Sequence, residues 1–210
     1  GVSTPILDMV RANNRGLYFT SPIALQGFQL IGFSFVDDND LLEGGNGTEN
    51  YSTAELIARS QTTLDLYEGG LRATGGALEP SKSFWYLIEF DPHSDTPEYL
   101  QPTDNQSPLT VLDAQGNRQT LQRLAPDQSE RTLGVRISPT GDRTKQFEYM
   151  LSQATSWADQ IRSGGLPRPL VEQALRTTIL KTLEYPLPVT LLNRAECDKI
   201  MSKLFMSALP

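Results

Sequence analysis

Two adjacent carboxylates, Asp37 and Asp38, are the residues of this 210-residue chain whose types and spacing best suit chemistry. They follow an apolar run, Phe28 to Val36, that predicts a strand, and apolar residues resume at Leu41. Adjacent aspartates repel each other, and a divalent cation bound to their oxygens would offset that repulsion. The pattern predicts a tight hairpin with both carboxylates at its tip. A catalytic metal pair for phosphoryl transfer is one interpretation, and an Asp-rich turn without a ligand is the other.

Composition limits the metals that such a site can hold. The chain has one cysteine, Cys197, and one histidine, His93, which excludes an internal disulfide and a Cys- or His-rich metal site. Oxygen ligands favour magnesium, calcium or manganese. A calcium loop of the EF-hand type needs a ligand at its fifth position, where Leu41 or Leu42 stands here. That form of calcium binding is therefore excluded.

Charge is distributed unevenly along the chain. Residues 1–100 carry 14 acidic and 5 basic side chains, whereas residues 101–210 carry 11 acidic and 13 basic ones. The resulting charges of −9 and +2 add to the formal net charge of −7. The acidic first half contains the candidate metal site. The second half, with its small positive charge, is the better candidate for contacting phosphates. No apolar run approaches the roughly 20 residues that a membrane helix needs, so we expect no membrane partner.

The apolar pattern changes along the chain from strand-like to helical. Strands are predicted over residues 17–20, 28–36, 83–90, 109–112, 119–124 and 131–138. Ser52 and Glu55 form a capping box that begins a helix ending near Arg72. Further helices are predicted over about 143–161, 169–184 and 194–208. This order predicts an α+β fold, with an antiparallel sheet and packed helices over residues 1–140 and a helical tail over 141–210.

Three short motifs follow one another in an order that resembles the second half of a reverse transcriptase palm of the retrotransposon type. Phe35-Val36-Asp37-Asp38 resembles motif C of that family. The glycine-rich run that leads into Pro80-Ser81-Lys82-Ser83 resembles motif D, and Leu133-Gly134-Val135 resembles motif E, the primer grip. The helical tail then corresponds to the thumb. The resemblance covers about residues 1–192 and depends on the order and spacing of the motifs, since each motif is short.

The resemblance implies roles for individual residues. Asp37 would bind a catalytic Mg²⁺ or Mn²⁺, with Asp38 as a second ligand or an outer-sphere partner. Lys82 would protonate the departing pyrophosphate or neutralise its charge, unless it is simply a surface lysine. Gly134 would let the backbone of the primer grip approach the primer closely. Basic thumb residues would contact the nucleic-acid backbone, unless they are only solvated surface charges; they are Arg162, Arg168, Arg176 and Lys181.

The implied activity is DNA synthesis on RNA by two-metal catalysis. Its partners would be an RNA template, a DNA primer and deoxynucleoside triphosphates, and its location intracellular, in the cytoplasm or nucleus. The family's third metal-binding aspartate, on motif A, and the Gln-Gly contact of motif B both precede motif C. Only 36 residues precede Asp37 here, so we expect an excised segment that is inactive by itself. Residues 91–130 match no common part of the family and are interpreted as an insertion.

Two other interpretations stay open. The first is a non-catalytic remnant of a mobile element that acts as a nucleic-acid-binding or structural module. The second is an unrelated α+β domain with a fortuitous Asp-Asp turn. The structure tests the family resemblance here: if Asp37 and Asp38 do not lie at a hairpin tip between antiparallel strands, the resemblance fails and this last interpretation remains.

Overall fold

The chain divides into two compact units, Gly1–Pro126 and Asp127–Pro210, which we call the N-terminal and C-terminal units. The computed structural model describes residues 3–21, 23–35, 38–45, 51–88, 102 and 106–208. Over these residues both units combine helices with small sheets, and most strand pairs are antiparallel. The predicted α+β class is therefore confirmed at a coarse level. The palm-type arrangement and the subdomain boundary at residue 140 stay predictions.

Two helices and eight short strands form the described part of the N-terminal unit. The helices are α1 (Ser3–Ala12) and α2 (Thr53–Ala73). The strands are β1 (Leu17–Thr20), β2 (Gly27–Leu30), β3 (Gly32–Phe35), β4 (Asp38–Leu41), β5 (Phe84–Trp85), β6 (Thr110–Leu112), β7 (Arg118–Thr120) and β8 (Gln122–Arg123). A 3₁₀ turn, Pro80–Lys82, precedes β5. The antiparallel pairs are β1–β2, β3–β4 and β6–β7, and β5 pairs with β8 in parallel.

The prediction of one buried central strand over residues 28–36 is wrong. The chain changes its pairing partner at Ile31, since β2 pairs with β1 and β3 pairs with β4. Ile31 is buried, but Phe28 and Phe33 are 51% and 57% exposed. Within the described residues each half pairs with one other strand, and neither of these two rings is buried by the pairing. A Cβ at Gly32 would collide with the carbonyl oxygen of Asp40, so glycine permits the close approach of β3 and β4.

Helix α2 holds the N-terminal unit together. Its predicted capping box is confirmed: the Ser52 hydroxyl accepts the Glu55 N–H at 3.3 Å, and the Glu55 carboxylate accepts the Ser52 N–H at 2.8 Å. Ile57 and Tyr67 of α2 lie in two separate apolar clusters. The first contains Ile57, Leu87, Leu109, Val111 and Leu121, and the second contains Ile6, Val10, Ile31 and Tyr67.

Helix α2 also covers the edge of β6 that faces away from β7. The Thr110 N–H donates to Gln61 Oε1 at 2.8 Å, and Gln61 Nε2 donates to the Thr110 carbonyl at 2.8 Å. Two residues further along β6, the Leu112 N–H donates to the carboxylate of Glu68 at 3.2 Å. Alternate residues of a strand direct their backbone groups to the same edge. Two side chains of α2 therefore take the place of a neighbouring strand.

The hairpin predicted over residues 109–124 forms, but its second arm has two parts. Residues of β7 pair with β6, Leu121 turns into an apolar cluster, and β8 pairs with β5. A strand is predicted over residues 83–90. Within it, β5 (Phe84–Trp85) pairs with β8, and residues 89–90 lie outside the described residues. Three side chains of the hairpin region, those of Leu109, Val111 and Leu121, pack in the same apolar cluster as Ile57 of α2. Its interpretation as part of an insertion that the common core of the family lacks stays a prediction.

The C-terminal unit is mainly helical, as predicted. It contains β9 (Glu130–Thr132), β10 (Val135–Ile137), α3 (Thr144–Gly164), α4 (Arg168–Ala174), α5 (Leu180–Glu184) and α6 (Arg194–Ala208). A π-helical segment, Leu175–Ile179, joins α4 to α5. One apolar core serves the helices: Met150, Ala154, Ile161, Val171, Ile179, Leu183, Ile200 and Leu204. The single strand predicted over residues 131–138 is wrong, because Leu133 and Gly134 reverse the chain and β9 pairs antiparallel with β10.

Candidate functional site

The β3–β4 hairpin contains the predicted metal-binding motif. Phe35 pairs with Asp38 across the two strands, so residues 36 and 37 alone connect them. Asp38 is the first residue of β4, and its side chain is exposed. Asp37 lies outside the described residues. The strands on either side of the motif thus pair antiparallel, as the hairpin hypothesis requires.

Negative charge is concentrated on one face of β4. Asp38 and Asp40 are two residues apart, so their side chains leave the strand on the same side. Partial burial raises the pKa of the Asp40 carboxyl above its usual value, and the charge of Asp38 raises it further. Asp38 and Asp40 offer only carboxylate oxygens as donors, and such donors suit Mg²⁺ or Mn²⁺. In the part of the chain that the structure describes, no group of three or more His, Cys, Asp or Glu side chains is placed to hold a metal ion.

Lys82 is the last residue of the 3₁₀ turn, and its side chain is exposed. The turn is capped by Glu79, which accepts hydrogen bonds from the Ser81 hydroxyl at 2.6 Å and from the Ser81 N–H at 3.3 Å. These two bonds hold the pKa of Glu79 below its usual value, and the charge of Lys82 adds to the effect. Lys82 forms no ion pair with any other described residue. Its ammonium group is open to solvent, and its role in catalysis stays a prediction.

The predicted primer grip is the reversal between β9 and β10. Leu133 and Gly134 have φ angles of 50° and 86°, the pattern of a type I′ turn, while Val135 is buried. Glycine takes a left-handed conformation freely, whereas a residue with a Cβ such as leucine loses about 1–2 kcal/mol there. The Tyr185 hydroxyl donates a hydrogen bond of 2.8 Å to the Leu133 carbonyl. A residue 52 positions further along the chain therefore contacts this turn.

A cleft of about 450 Å³ lies next to the turn within the C-terminal unit. The described residues that line it include two basic side chains, three aromatic rings and several hydroxyl groups, and none of them is acidic. Those that the argument uses are Arg131, Tyr149, Trp157, Thr178, Lys181 and Tyr185. Gly134 of the turn also lines the cleft. Cations, hydroxyls and aromatic faces suit a ligand that carries phosphates and flat rings.

Of the four basic residues predicted to contact nucleic acid, the structure brings only Lys181 to this cleft, and its ammonium group pairs with Glu184 of the same helix at 3.1 Å. Arg162 and Arg176 pair with acids on their own helix faces, at 3.5 Å from Asp159 and 2.8 Å from Glu172. Arg168 is the exposed first residue of α4. Such exposed pairs are weak, but they neutralise the charge locally. The roles of these three arginines stay predictions that the cleft does not support.

Sequence reasoning missed several cleft residues. Arg131 occurred within a predicted strand, and its position became meaningful only when that strand proved to be a hairpin. Thr178 belongs to the π-helical segment, for which the sequence has no periodic signal. Tyr185 directly precedes Pro186 and follows the last residue of the helix predicted over about 169–184. A tyrosine beside a helix-ending proline is a weak signal by itself.

No protein-family model, curated protein or solved structure matches this chain. Among the helices of the described residues, none has the length and apolar character needed to cross a membrane.

Proposed function

We propose that this chain is the part of a retrotransposon-type reverse transcriptase that extends from motif C through the thumb. In the full-length protein it would contribute to template-directed nucleotidyl transfer, in which deoxynucleotides are added to a DNA primer on an RNA template. The observation that supports this proposal best is the β3–β4 hairpin. Its two strands pair antiparallel, its two-residue connection ends with Asp37, and its second strand begins with Asp38.

The hairpin explains why these two carboxylates would be useful together. Pairing of β3 with β4 fixes the backbone at Asp38, and the exposed side chain of Asp38 is accessible to a substrate. Asp37 and Asp38 would hold the cation through their carboxylate oxygens. Bound there, Mg²⁺ or Mn²⁺ would stabilise the negative charge that develops on the attacking and leaving oxygens. Lys82 offers an exposed ammonium group for the departing pyrophosphate.

The cleft of the C-terminal unit supports the nucleic-acid part of the proposal. Arg131 lines it from β9 and Lys181 from α5, and the aromatic residues Tyr149 and Trp157 line it from α3. A strand of DNA or RNA presents phosphates to the cations and bases to the rings. Binding of this kind depends little on base sequence. It weakens as the salt concentration rises, because the release of counterions from the phosphates then gains less free energy.

The binding step can be tested on the chain itself. We expect a fluorescently labelled DNA primer annealed to an RNA template to bind, with a dissociation constant that rises steeply with salt. Replacing both Arg131 and Lys181 with alanine should weaken binding by about tenfold or more, because two phosphate contacts are lost. Lys203→Ala is the control, since Lys203 is exposed on α6 and lies outside the cleft. Equal binding by the double variant and the wild type would contradict this part of the proposal.

The catalytic step needs a longer chain. We expect the reading frame upstream of Gly1 to encode an aspartate on a strand and a Gln-Gly motif, and a protein that includes them to extend a primer on RNA with Mg²⁺. Asp37→Asn combined with Asp38→Asn should reduce extension to background, whereas Asp127→Asn should not. Undiminished extension by the first variant would refute the metal role. Binding without extension by the longer protein would instead favour the non-catalytic remnant.

A further inference from the structure

The turn at Leu133 and Gly134 is anchored differently at its base and at its tip. At the base, Val135 is buried, and Gln146 accepts the Arg136 N–H at 2.8 Å from within the core. At the tip, the side chain of Leu133 is 38% exposed, so burial does little to fix it. The backbone of Leu133 is also in the left-handed region, which leucine avoids. The tip therefore needs a contact from elsewhere to keep one conformation.

Tyr185 supplies that contact. Its hydroxyl donates to the Leu133 carbonyl at 2.8 Å, and its ring carbon Cε1 lies 3.4 Å from where a Cβ of Gly134 would be. Within the described residues, no other side chain forms a hydrogen bond with either residue of the turn. Tyr185 follows α5 directly, so it links the tip of the hairpin to the helical part of the unit. Both the turn and Tyr185 line the cleft.

We infer that Tyr185 is a positioning residue for nucleic-acid binding: it holds the Leu133–Gly134 turn in its left-handed conformation so that the turn faces the strand bound in the cleft. This inference rests on the proposed function, since it assigns a role within the proposed primer grip. Tyr185 acts through the Leu133 carbonyl. Its hydroxyl is engaged with that carbonyl and does not itself need to contact the nucleic acid.

The first test replaces the hydroxyl alone. Tyr185→Phe keeps the ring beside Gly134 and removes one hydrogen bond, so amide exchange should accelerate at residues 133–135 while the melting temperature of the chain changes little. Affinity for the primer–template duplex should fall about threefold to tenfold, the range expected for one lost hydrogen bond. Tyr18→Phe is the matched control, because Tyr18 is an exposed tyrosine on β1.

A second variant distinguishes positioning from direct contact. Asparagine tolerates the left-handed region far better than leucine and is common in type I′ turns. Leu133→Asn should therefore stabilise the turn without help from Tyr185. We expect the combination of Leu133→Asn with Tyr185→Phe to restore both slow amide exchange at the turn and binding within about twofold of the wild type.

The outcomes separate this inference from the proposed function. Wild-type affinity in Tyr185→Phe, or an unchanged exchange rate at the turn, would overturn the positioning role. Failure of Leu133→Asn to rescue binding would overturn it too, because the hydroxyl would then contact the nucleic acid directly. If the wild-type chain does not bind the duplex at all, the proposed function fails first. In that case the exchange data alone decide whether Tyr185 holds the turn.

Discussion

The two units are stabilised in different ways. In the N-terminal unit, two small apolar clusters lie on α2, and buried carboxylates connect this helix to the rest of the unit. Glu43 accepts hydrogen bonds from Arg59 and Thr63, and Glu68 pairs with Arg72. In the C-terminal unit, a single apolar core serves all the helices, and most ion pairs are on exposed helix surfaces. The N-terminal unit contains the candidate metal hairpin, and the C-terminal unit contains the cleft.

This difference indicates how each site is positioned. A core of interlocking side chains keeps helices in place without directional bonds, so the cleft wall depends on packing. Hydrogen bonds from side chains to backbone fix orientation, and each fails if a single partner is lost. We therefore expect the C-terminal unit to respond to changes in side-chain volume and the N-terminal unit to respond to changes in single polar atoms. Four substitutions or pairs of substitutions test this contrast, from the largest expected effect to the smallest.

Leu204→Ala should have the largest effect. Leu204 is fully buried in the core of the C-terminal unit, and truncation of a buried leucine removes apolar contacts and leaves a cavity. We expect a loss of about 3 kcal/mol in the free energy of unfolding, measured by amide exchange of α3 and α6. Leu191→Ala is the control, because Leu191 is 80% exposed. Equal effects of the two substitutions would mean that the apolar core does not dominate this unit.

Glu68→Gln should have the next largest effect, and the chain provides a matched pair for it. Glu68–Arg72 and Glu172–Arg176 are both i, i+4 pairs, but the first carboxylate is 5% exposed and the second 58% exposed. Neutralising Glu68 removes the charge that balances Arg72, which keeps its hydrogen bond to the Asp113 carbonyl, so we expect a loss of about 2 kcal/mol in the N-terminal unit. Glu172→Gln should cost less than about 0.5 kcal/mol. Chemical denaturation of both variants measures the contrast, and similar losses would remove it.

The features of both units that could be predicted from the sequence are the ones with local causes. Apolar residues at helical spacing predicted α3, the helical region at about 169–184 and α6, because that periodicity is also what builds their common core. Ser52 and Glu55 predicted the start of α2, because a capping box is a local interaction. Asp37 and Asp38 predicted a hairpin, and the strands on either side form one. In each case the physical cause lies within a few residues of the chain.

Other features could not be predicted because their causes are distant in sequence. Gln61 and Thr110 are 49 residues apart, and nothing at either position indicates the other. The split at Ile31 depends on which strands are available for pairing, so a continuous apolar run was a misleading signal. The cleft likewise depends on Arg131 and Lys181, which come together only after the hairpin and the helices have packed. The sequence therefore predicted elements and motifs better than it predicted their neighbours.

Gln61→Leu should have a moderate effect. The substitution keeps the approximate size of the side chain but removes both hydrogen bonds to Thr110 on β6. Two backbone groups then lose their partners, which we expect to cost about 1–2 kcal/mol. The control is Gln160→Leu on α3, where the glutamine is exposed and its side chain donates a hydrogen bond to Ser156 of the same helix. Faster amide exchange at Thr110 and Leu112 in the first variant alone would support the role of α2 as a substitute strand.

The smallest expected effect is a dependence on pH. Hydrogen bonds from the Thr144 hydroxyl and then the Thr144 N–H hold the pKa of Asp142 below its usual value of 3.8. In the N-terminal unit, the Asn117 N–H is the main cause of a lowered pKa at Asp113. A carboxyl whose pKa falls on folding stabilises the protein above its unfolded-state pKa, and this stability is lost as the pH falls through the folded-state pKa.

Each unit should therefore lose some stability as the pH falls below about 4, for the same physical reason. Asp142→Asn should flatten that dependence in the C-terminal unit, and Asp113→Asn should flatten it in the N-terminal unit. Amide exchange followed from pH 5 to pH 2.5 would distinguish the two units. A flattening of both units by either substitution would contradict the local origin of the effect.

The contacts of Gln61 and Glu68 with β6 also bear on how this chain behaves in concentrated solution. A strand edge with free N–H and carbonyl groups recruits strands from other molecules and begins aggregation. On β6 those groups are engaged by side chains of α2, which cannot propagate a sheet as a further strand would. Helix α2 thus occupies the outer edge of β6, and this edge is unavailable for pairing with a strand from another copy of the chain.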